Sequence, residues 1–261
     1  MRPKSLDEIE SAVVRCRRCP QLRAYAAQIA RERKPAHRDC SYWGKPVPAF
    51  GDAEARLMLV GLAPGAHGSN RTGRPFTGDA SGNFLYPALY RAGFASKAEA
   101  IARNDGLALS DCLITAAARC APPQNKPTPA ELKNCFSYLV EEFDALKRLR
   151  VVIGLGAIGF AAILRVLRAR DFALDPIRPA FAHGAELTAA NGARKITIIA
   201  SYHPSRQNTN TGKLTAAMFD AIFSRAREVL FSDEGREEAA PVRGSARPSS
   251  GRARLGSSEK R

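Results

Sequence analysis

No stretch of this 261-residue sequence is apolar for long enough to cross a bilayer. The longest such run, residues 151–164, is broken by Gly154, Gly156 and Gly159 and falls short of the ~18 residues that suggest a membrane span. Also missing is the apolar core of a secretory leader. Leu6-Asp7-Glu8-Ile9-Glu10 puts acids where that core would stand, so export is not expected and a cytosolic location is. Acidic residues are scarce: 25 Asp and Glu face 40 Lys and Arg, a formal net charge of +15. Such an excess suits a polyanionic partner, nucleic acid first and an anionic membrane surface second. No internal repeat is present, and a 45% hydrophobic content excludes bulk disorder. The length allows one domain with appendages or at most two. In a reducing compartment the six cysteines should stay reduced, so an organised cysteine pattern points to metal rather than disulfides.

Periodicity predicts an N-terminal helix over 6–33, then a Pro-rich stretch over 40–52. Four short apolar runs, 57–61, 112–117, 151–154 and 196–201, have the character of buried strands. Helical patterns over 82–92, 130–148, 159–170 and 214–231 separate and follow them. Alternation of this kind implies a parallel sheet covered on both faces. From about Ser232 the composition turns to Gly, Ser, Pro, Arg and Glu. In its final part Arg243, Arg247, Arg252, Arg254, Lys260 and Arg261 outnumber Glu259, and this tail is either a loose tether to polyanions or a solvated extension. Truncation after Ser232 separates the two, because a tether contributes DNA affinity and salt dependence and an extension contributes neither.

Each predicted strand leads into a distinctive loop: Gly61-Leu62-Ala63-Pro64-Gly65, Arg119-Cys120-Ala121-Pro122-Pro123-Gln124-Asn125-Lys126-Pro127, Gly154-Leu155-Gly156, and Ser201-Tyr202-His203-Pro204-Ser205. Open parallel sheets bind ligands beyond the carboxyl ends of their strands, so these loops should converge on one crevice. The first continues through His67 and Phe76 to Asp79, a stretch dense in Gly and polar residues. It can aim backbone N–H groups at an anion or a base edge, with Phe76 free to stack on a planar ligand, or it can be a plain connector with Asp79 capping the next helix. The segment from His203 to Lys213 joins an imidazole to small polar donors and two cations, Arg206 and Lys213, and suits a phosphate backbone. Cys16-Arg17-Arg18-Cys19 brings two thiols within reach of one centre, and Cys120 and Cys135 can supply two more. Four thiolates fit tetrahedral zinc or an iron–sulfur cluster, and Arg15, Arg17 and Arg18 are expected to favour the thiolate. Cys112 suits a small core residue, and Cys40 either a free thiol or a substitute ligand.

These residues resemble the uracil-DNA glycosylase superfamily, and within it the iron–sulfur type called family 5, or type b. The resemblance rests on Gly61-Leu62-Ala63-Pro64-Gly65-Ala66-His67-Gly68, on Arg71-Thr72-Gly73-Arg74-Pro75-Phe76-Thr77-Gly78-Asp79, on Asn125-Lys126-Pro127-Thr128-Pro129, and on His203-Pro204-Ser205 with Asn208 and Thr211. It implies a three-layer α/β/α sandwich with a four-stranded parallel sheet, in one domain over 1–231 followed by a disordered basic tail over 232–261. It further implies a [4Fe–4S] cluster on Cys16, Cys19, Cys120 and Cys135, and hydrolysis of the N-glycosidic bond of uracil in DNA, with hypoxanthine and xanthine as further substrates, initiating base excision repair. The partner would be DNA containing deaminated bases, with no membrane, and the protein a monomer.

The resemblance assigns catalysis to Asp79, Asn125 and His203, and substrate binding to Gly61, Ala63, Gly65, His67, Phe76, Ser205 and Arg206. The related family 4 carries a glutamate where Leu62 stands here, and classical uracil enzymes an aspartate in that loop. With Leu62 and Ala63 both non-acidic, Asp79 is the substitute carboxylate. The chief alternative is a non-catalytic iron–sulfur nucleic-acid-binding protein, which would retain uracil-containing DNA without making abasic sites. A nucleotide-binding or electron-transfer protein is a second, with redox activity and no preference for DNA.

Overall fold

The computed structural model describes residues 4–237. Its centre is four parallel strands, β2 (Leu57–Gly61), β3 (Cys112–Ala116), β4 (Val151–Leu155) and β7 (Arg194–Ser201), adjacent in the order β3-β2-β4-β7. These are the four strands expected from the apolar runs. Three antiparallel strands widen the sheet to seven: β1 (Phe50–Gly51) beyond β3, and β6 (Glu186–Asn191) and β5 (Ala173–Asp175) beyond β7. The four-stranded expectation therefore describes the parallel core and omits the edges. The reason is chemical: β6 reads Glu-Leu-Thr-Ala-Ala-Asn with half of its residues exposed, and β1 and β5 are two and three residues long, too short for a period to register. Asn191 pairs with Arg194 across Gly192-Ala193, a two-residue hairpin loop in which Gly192 takes φ +55°.

Alternate residues of the parallel strands enter different layers. Leu57, Leu59, Ile114, Val151, Ile153 and Ile199 face α4 (Gly82–Arg91) and α8 (Ala216–Glu237). Met58, Val60, Leu113, Val152, Ile198 and Ala200 face α5 (Pro129–Ala145) and α6 (Gly156–Arg168). This is the expected α/β/α sandwich. α5 starts with Pro129 and a reciprocal capping box between Thr128 and Glu131, which defines where the Asn125 loop ends.

The helix expected over 6–33 is two helices, α1 (Leu6–Val14) and α2 (Pro20–Glu32). Pro20 has no N–H to give a continuing helix and its ring would crowd the preceding turn, so the chain restarts with Pro20 as a first-turn residue. The break leaves Cys16 and Cys19 in the link between the two helices. α1 packs Ile9 and Val13 on Tyr138 of α5. The last helix runs past residue 231 to Glu237, so a truncation that probes the tail alone must begin after Glu237. The disordered tail expected from 232 lies, from residue 238 onward, outside the described residues, as do residues 1–3. No helix among the described residues is long and apolar enough to cross a membrane.

One polar interior contact fixes the long loop between β2 and α4. Arg74, 3% exposed at its side chain, donates from Nη1 and Nη2 to both oxygens of Asp105 at 2.9 and 2.7 Å. Asp105 also accepts from the N–H groups of Ile101, Ala102 and Leu107. Burial alone would raise the Asp105 carboxyl, yet Arg74 and these N–H groups hold it well below the carboxylate range. Asp105→Ala strands a buried guanidinium and should lower the unfolding free energy by about 3–5 kcal/mol in urea denaturation.

Candidate active site

A cavity of about 730 Å³ opens beyond the carboxyl ends of β2, β3 and β7. All ten residues singled out from the sequence as catalytic or substrate-binding line it: Gly61, Ala63, Gly65, His67, Phe76 and Asp79 from the β2–α4 segment, Asn125 after β3, and His203, Ser205 and Arg206 after β7. The Gly154-Leu155-Gly156 loop, expected to share in the crevice, instead sits behind His203. Gly156 has φ +84°, and a Cβ there would stand 3.2 Å from His203 Cβ. Gly154 and Gly159 serve close packing of α6 on the sheet, since a Cβ at either would meet Phe160 or the Val60 carbonyl below 3 Å.

Asp79 caps a helix with one carboxylate oxygen and turns the other toward the glycines of the β2 loop. Its Oδ1 accepts from Gly82 N–H at 3.0 Å, and Ser81 N–H adds a second bond, so the carboxylate caps the start of α4. Its Oδ2 points toward Gly65 and Gly68. A Cβ on Gly68 would lie 1.9 Å from that oxygen, so the carboxylate occupies the space a side chain would fill. Burial raises the Asp79 carboxyl above its ordinary value, against the lowering by Gly82, Ser81 and the charge of Arg71.

His203 is pushed the other way, down to about 4, because its imidazole is desolvated by burial. The ring leans on Phe76, centroids 5.7 Å apart at 31°. Phe76 takes φ +50°, with its N–H held by Ser69 Oγ at 3.0 Å, and Gly61 leaves room for its ring. The His203 carbonyl accepts from Asn208 Nδ2 (2.9 Å) and Ser205 N–H (2.7 Å), which closes the turn into α7 (Arg206–Asn210). Arg206 is exposed at the mouth, whereas Lys213 lies over the Tyr202 ring at 4.9 Å and does not line the cavity. Asn125 sits exposed on a 3-10 turn, Pro123–Asn125. It and Gln124 have φ +58° and +53°, a conformation asparagine tolerates.

Behind this cavity the four selected cysteines are neighbours. Cys120 is pushed up to about 12 by burial, with Cys135, Cys16 and Cys19 adding to the effect and Arg23 opposing it. Burial also raises Cys135, against the N–H and the charge of Arg119. The cations that bear on these two thiols are Arg23 and Arg119. Arg18 instead donates to the Asn134 carbonyl and Ser137 Oγ and stacks on Tyr138. Asn134 Nδ2 lies 3.3 Å from Cys19 Sγ. Among the described residues no three His, Cys, Asp or Glu side chains are closed around a common point as a metal site. Cys112 is buried in β3, as expected.

A family model for the uracil DNA glycosylase superfamily matches residues 48–227, more than half of the chain. The chain belongs to the uracil-DNA glycosylase superfamily. It is 49% identical to a type-5 uracil-DNA glycosylase of Thermus thermophilus over 82% of this chain and 93% of that one. The corresponding protein of Pyrobaculum aerophilum is 44% identical over 84% and 91%. A type-4 uracil-DNA glycosylase of Archaeoglobus fulgidus is 29% identical over 77% of this chain and 82% of that one.

Lys34 and His37, which reach the cavity from the link after α2, escaped the sequence. Gly68 and Gly156 matter through what they leave empty and Arg119 through its burial against Glu142, which the motifs that contain them do not reveal. Arg119 Nη2 donates to Glu142 Oε2 at 2.6 Å, Thr115 Oγ1 donates to the same oxygen at 2.7 Å, and Arg119 Nη1 reaches Thr115. No local pattern announces a pairing between residues of a strand-end loop and a helix. The opposed environments of Asp79 and His203 are measurable by NMR titration: the imidazole should keep its neutral chemical shifts down to about pH 5, and the Asp79 carboxyl should protonate at a higher pH than an exposed aspartate.

Proposed function

We propose that this protein is a hydrolase that removes uracil from DNA, and hypoxanthine and xanthine as further deaminated bases, acting as a monomer and initiating base excision repair. The observation that carries the reading is the pair Asp79 and His203, one titrating above and one below its ordinary value, on the wall of one cavity. The class of reaction follows from membership in the superfamily. A cavity of about 730 Å³ accepts a purine as well as a pyrimidine.

A base inside a duplex is out of reach, so the target nucleotide must first be extruded, at about a few kcal/mol and least for a mispaired base. Breaking the bond from C1′ to the base nitrogen leaves the electron pair on the base and positive charge on the sugar. His203, neutral because its pKa is about 4, offers an N–H to the base as it becomes an anion. A preorganised donor of this kind lowers a barrier by about 2.7–4 kcal/mol. Asp79 orients a water molecule, accepts its proton as the oxygen joins C1′, and favours the sugar cation. Its anchored Oδ1 leaves Oδ2 for this work. Asn125 can donate and accept, which suits an edge shared by several deaminated bases. Phe76 and the backbone of Gly61, Ala63 and Gly65 form the pocket wall, while Ser205 and Arg206 stand where a phosphate would pass.

We further propose a [4Fe–4S] cluster on Cys16, Cys19, Cys120 and Cys135. Two buried guanidinium atoms beside these thiols, Arg23 Nη1 and Arg119 Nε, have no partner among the described residues. A dianionic cluster would accept from both, and metal would displace the protons that burial holds on Cys120 and Cys135. When bound, the cluster supplies a rigid anchor for the α1–α2 link and the Asn125 loop. Anaerobically purified protein should contain iron and absorb in the visible, and Cys135→Ser should lose both.

Single-turnover excision of uracil tests the chemistry. Asp79→Asn and His203→Ala should each slow it by about 10² or more, and effects within about tenfold would remove the role assignment. The rate should rise with pH through the raised pKa of Asp79, because the base form is the active one. Asp79→Asn should flatten that acid limb. Gly68→Ala drives a methyl group onto Oδ2 and should approach the Asp79→Asn rate.

A further inference from the structure

One part of the cavity wall is built from cations and imidazoles that the proposed chemistry leaves idle. Lys34 and His37 come from the link after α2 and His67 from the loop after β2, and all three line the cavity. Arg71, in the short helix α3 (Ser69–Thr72), donates from Nε to the His67 carbonyl and from Nη2 to the Gly78 carbonyl, each at 2.9 Å. Tyr42 ties the two segments together. Its hydroxyl is 3.0 Å from His67 Nδ1 and accepts from the Lys34 N–H at 3.4 Å, and its ring stands edge-on to the imidazole. Among the described residues, none of Lys34, His37, His67 and Arg71 forms an ion pair with a carboxylate.

The groups facing the imidazoles are all of one sign. Burial, then Arg71 and Lys34, lower His37, against a bond to the Ala36 backbone; burial, then Lys34, His37 and Arg71, lower His67. Asp79 is the carboxylate within reach of Arg71, and it already draws on two backbone donors. Two fixed cations beside two imidazoles, which burial and those cations hold toward the neutral form, make a surface that gains most from the arrival of an anion.

We propose that this wall is a proton-linked clamp for the DNA backbone, in which Lys34 and Arg71 supply standing charge and His37 and His67 each take up a proton as a phosphodiester docks against them. The inference rests on the cavity being a site for a nucleotide drawn from DNA. A phosphodiester carries one negative charge at every pH of interest, so the proton must go to the protein. The sign follows from linkage: an imidazole raised by its new anionic neighbour strengthens binding as pH falls through its pKa in the complex, and the gain fades as pH rises above it. Each proton taken up changes affinity by at most about tenfold per pH unit.

The test measures binding of the full chain to a duplex holding a tetrahydrofuran abasic-site analogue, by fluorescence anisotropy from about pH 8 to pH 5.5 at fixed ionic strength. Affinity should tighten toward acid, and His37→Gln combined with His67→Gln should remove most of that slope. A contribution from Asp79 survives in the double variant, so the difference between the slopes belongs to the imidazoles. Lys34→Gln, at an exposed position, should make the dependence of log affinity on log salt shallower by about one. A wild-type affinity without pH dependence, a slope that the double variant keeps in full, or an unchanged salt slope in Lys34→Gln would overturn the clamp. Alkali-revealed scission at uracil by the wild-type protein is scored separately: its absence removes the glycosylase reading, while scission with an unaltered pH slope in the double variant removes the clamp alone.

Discussion

Parallel pairing is the constraint on which the rest of this molecule depends. A parallel strand must be followed by a crossover before the next can lie beside it in the same direction. The four central strands, β3-β2-β4-β7, therefore start at one edge of the sheet and end at the other. With helices covering both faces, the carboxyl edge is where backbone emerges into open space. Asp79, Asn125 and His203 are brought together by that geometry although long stretches of chain separate them. The crossover after β4 is the exception: it is used for clearance, so that Gly156 lets His203 sit in the wall.

At this edge the protein sets unlike groups in like surroundings. Burial acts on Asp79 and His203 with opposite results, because it disfavours the charged form of each: the acid is raised and the base lowered. The Asp79 carboxylate is held against backbone N–H groups, and the His203 imidazole is held neutral. The same rule governs the thiols behind the cavity. Burial favours the neutral form of Cys120 and Cys135, against the charges of Arg23 and Arg119. Arg119 links the two regions, since its backbone N–H bonds Cys135 and its side chain pairs with Glu142 beside the cavity.

Much of the net charge of +15 is spread over the surface, and surface charge alone adds affinity without position. Position comes where cations are held without partners. Tyr42 holds His67 and the Lys34 backbone, and two backbone carbonyls hold Arg71, so among the described residues the charges of Lys34 and Arg71 enter no ion pair with a carboxylate. Arg74 shows the opposite arrangement: Asp105 satisfies it, and it organises the loop instead of facing a ligand.

The buried strands were legible in the sequence because burial on both faces demands uninterrupted apolar runs, and Leu57-Met58-Leu59-Val60 is one. The loop residues of the site were legible too, since glycine, proline and polar residues crowd together at strand ends. The edge strands were not, because two or three residues, or a half-exposed strand such as β6, carry no clear period. Nor was the break at Pro20, which periodicity alone runs through. What the sequence by itself determined is local: which segments must be buried, and which loops carry titratable side chains and thiols. Only the tertiary structure decided the direction of the pKa changes at Asp79 and His203, the clearance at Gly68, and the meeting of Lys34 and His37 with His67. Each of these depends on distance and desolvation between segments remote in the chain, and neither quantity is written in the order of residues.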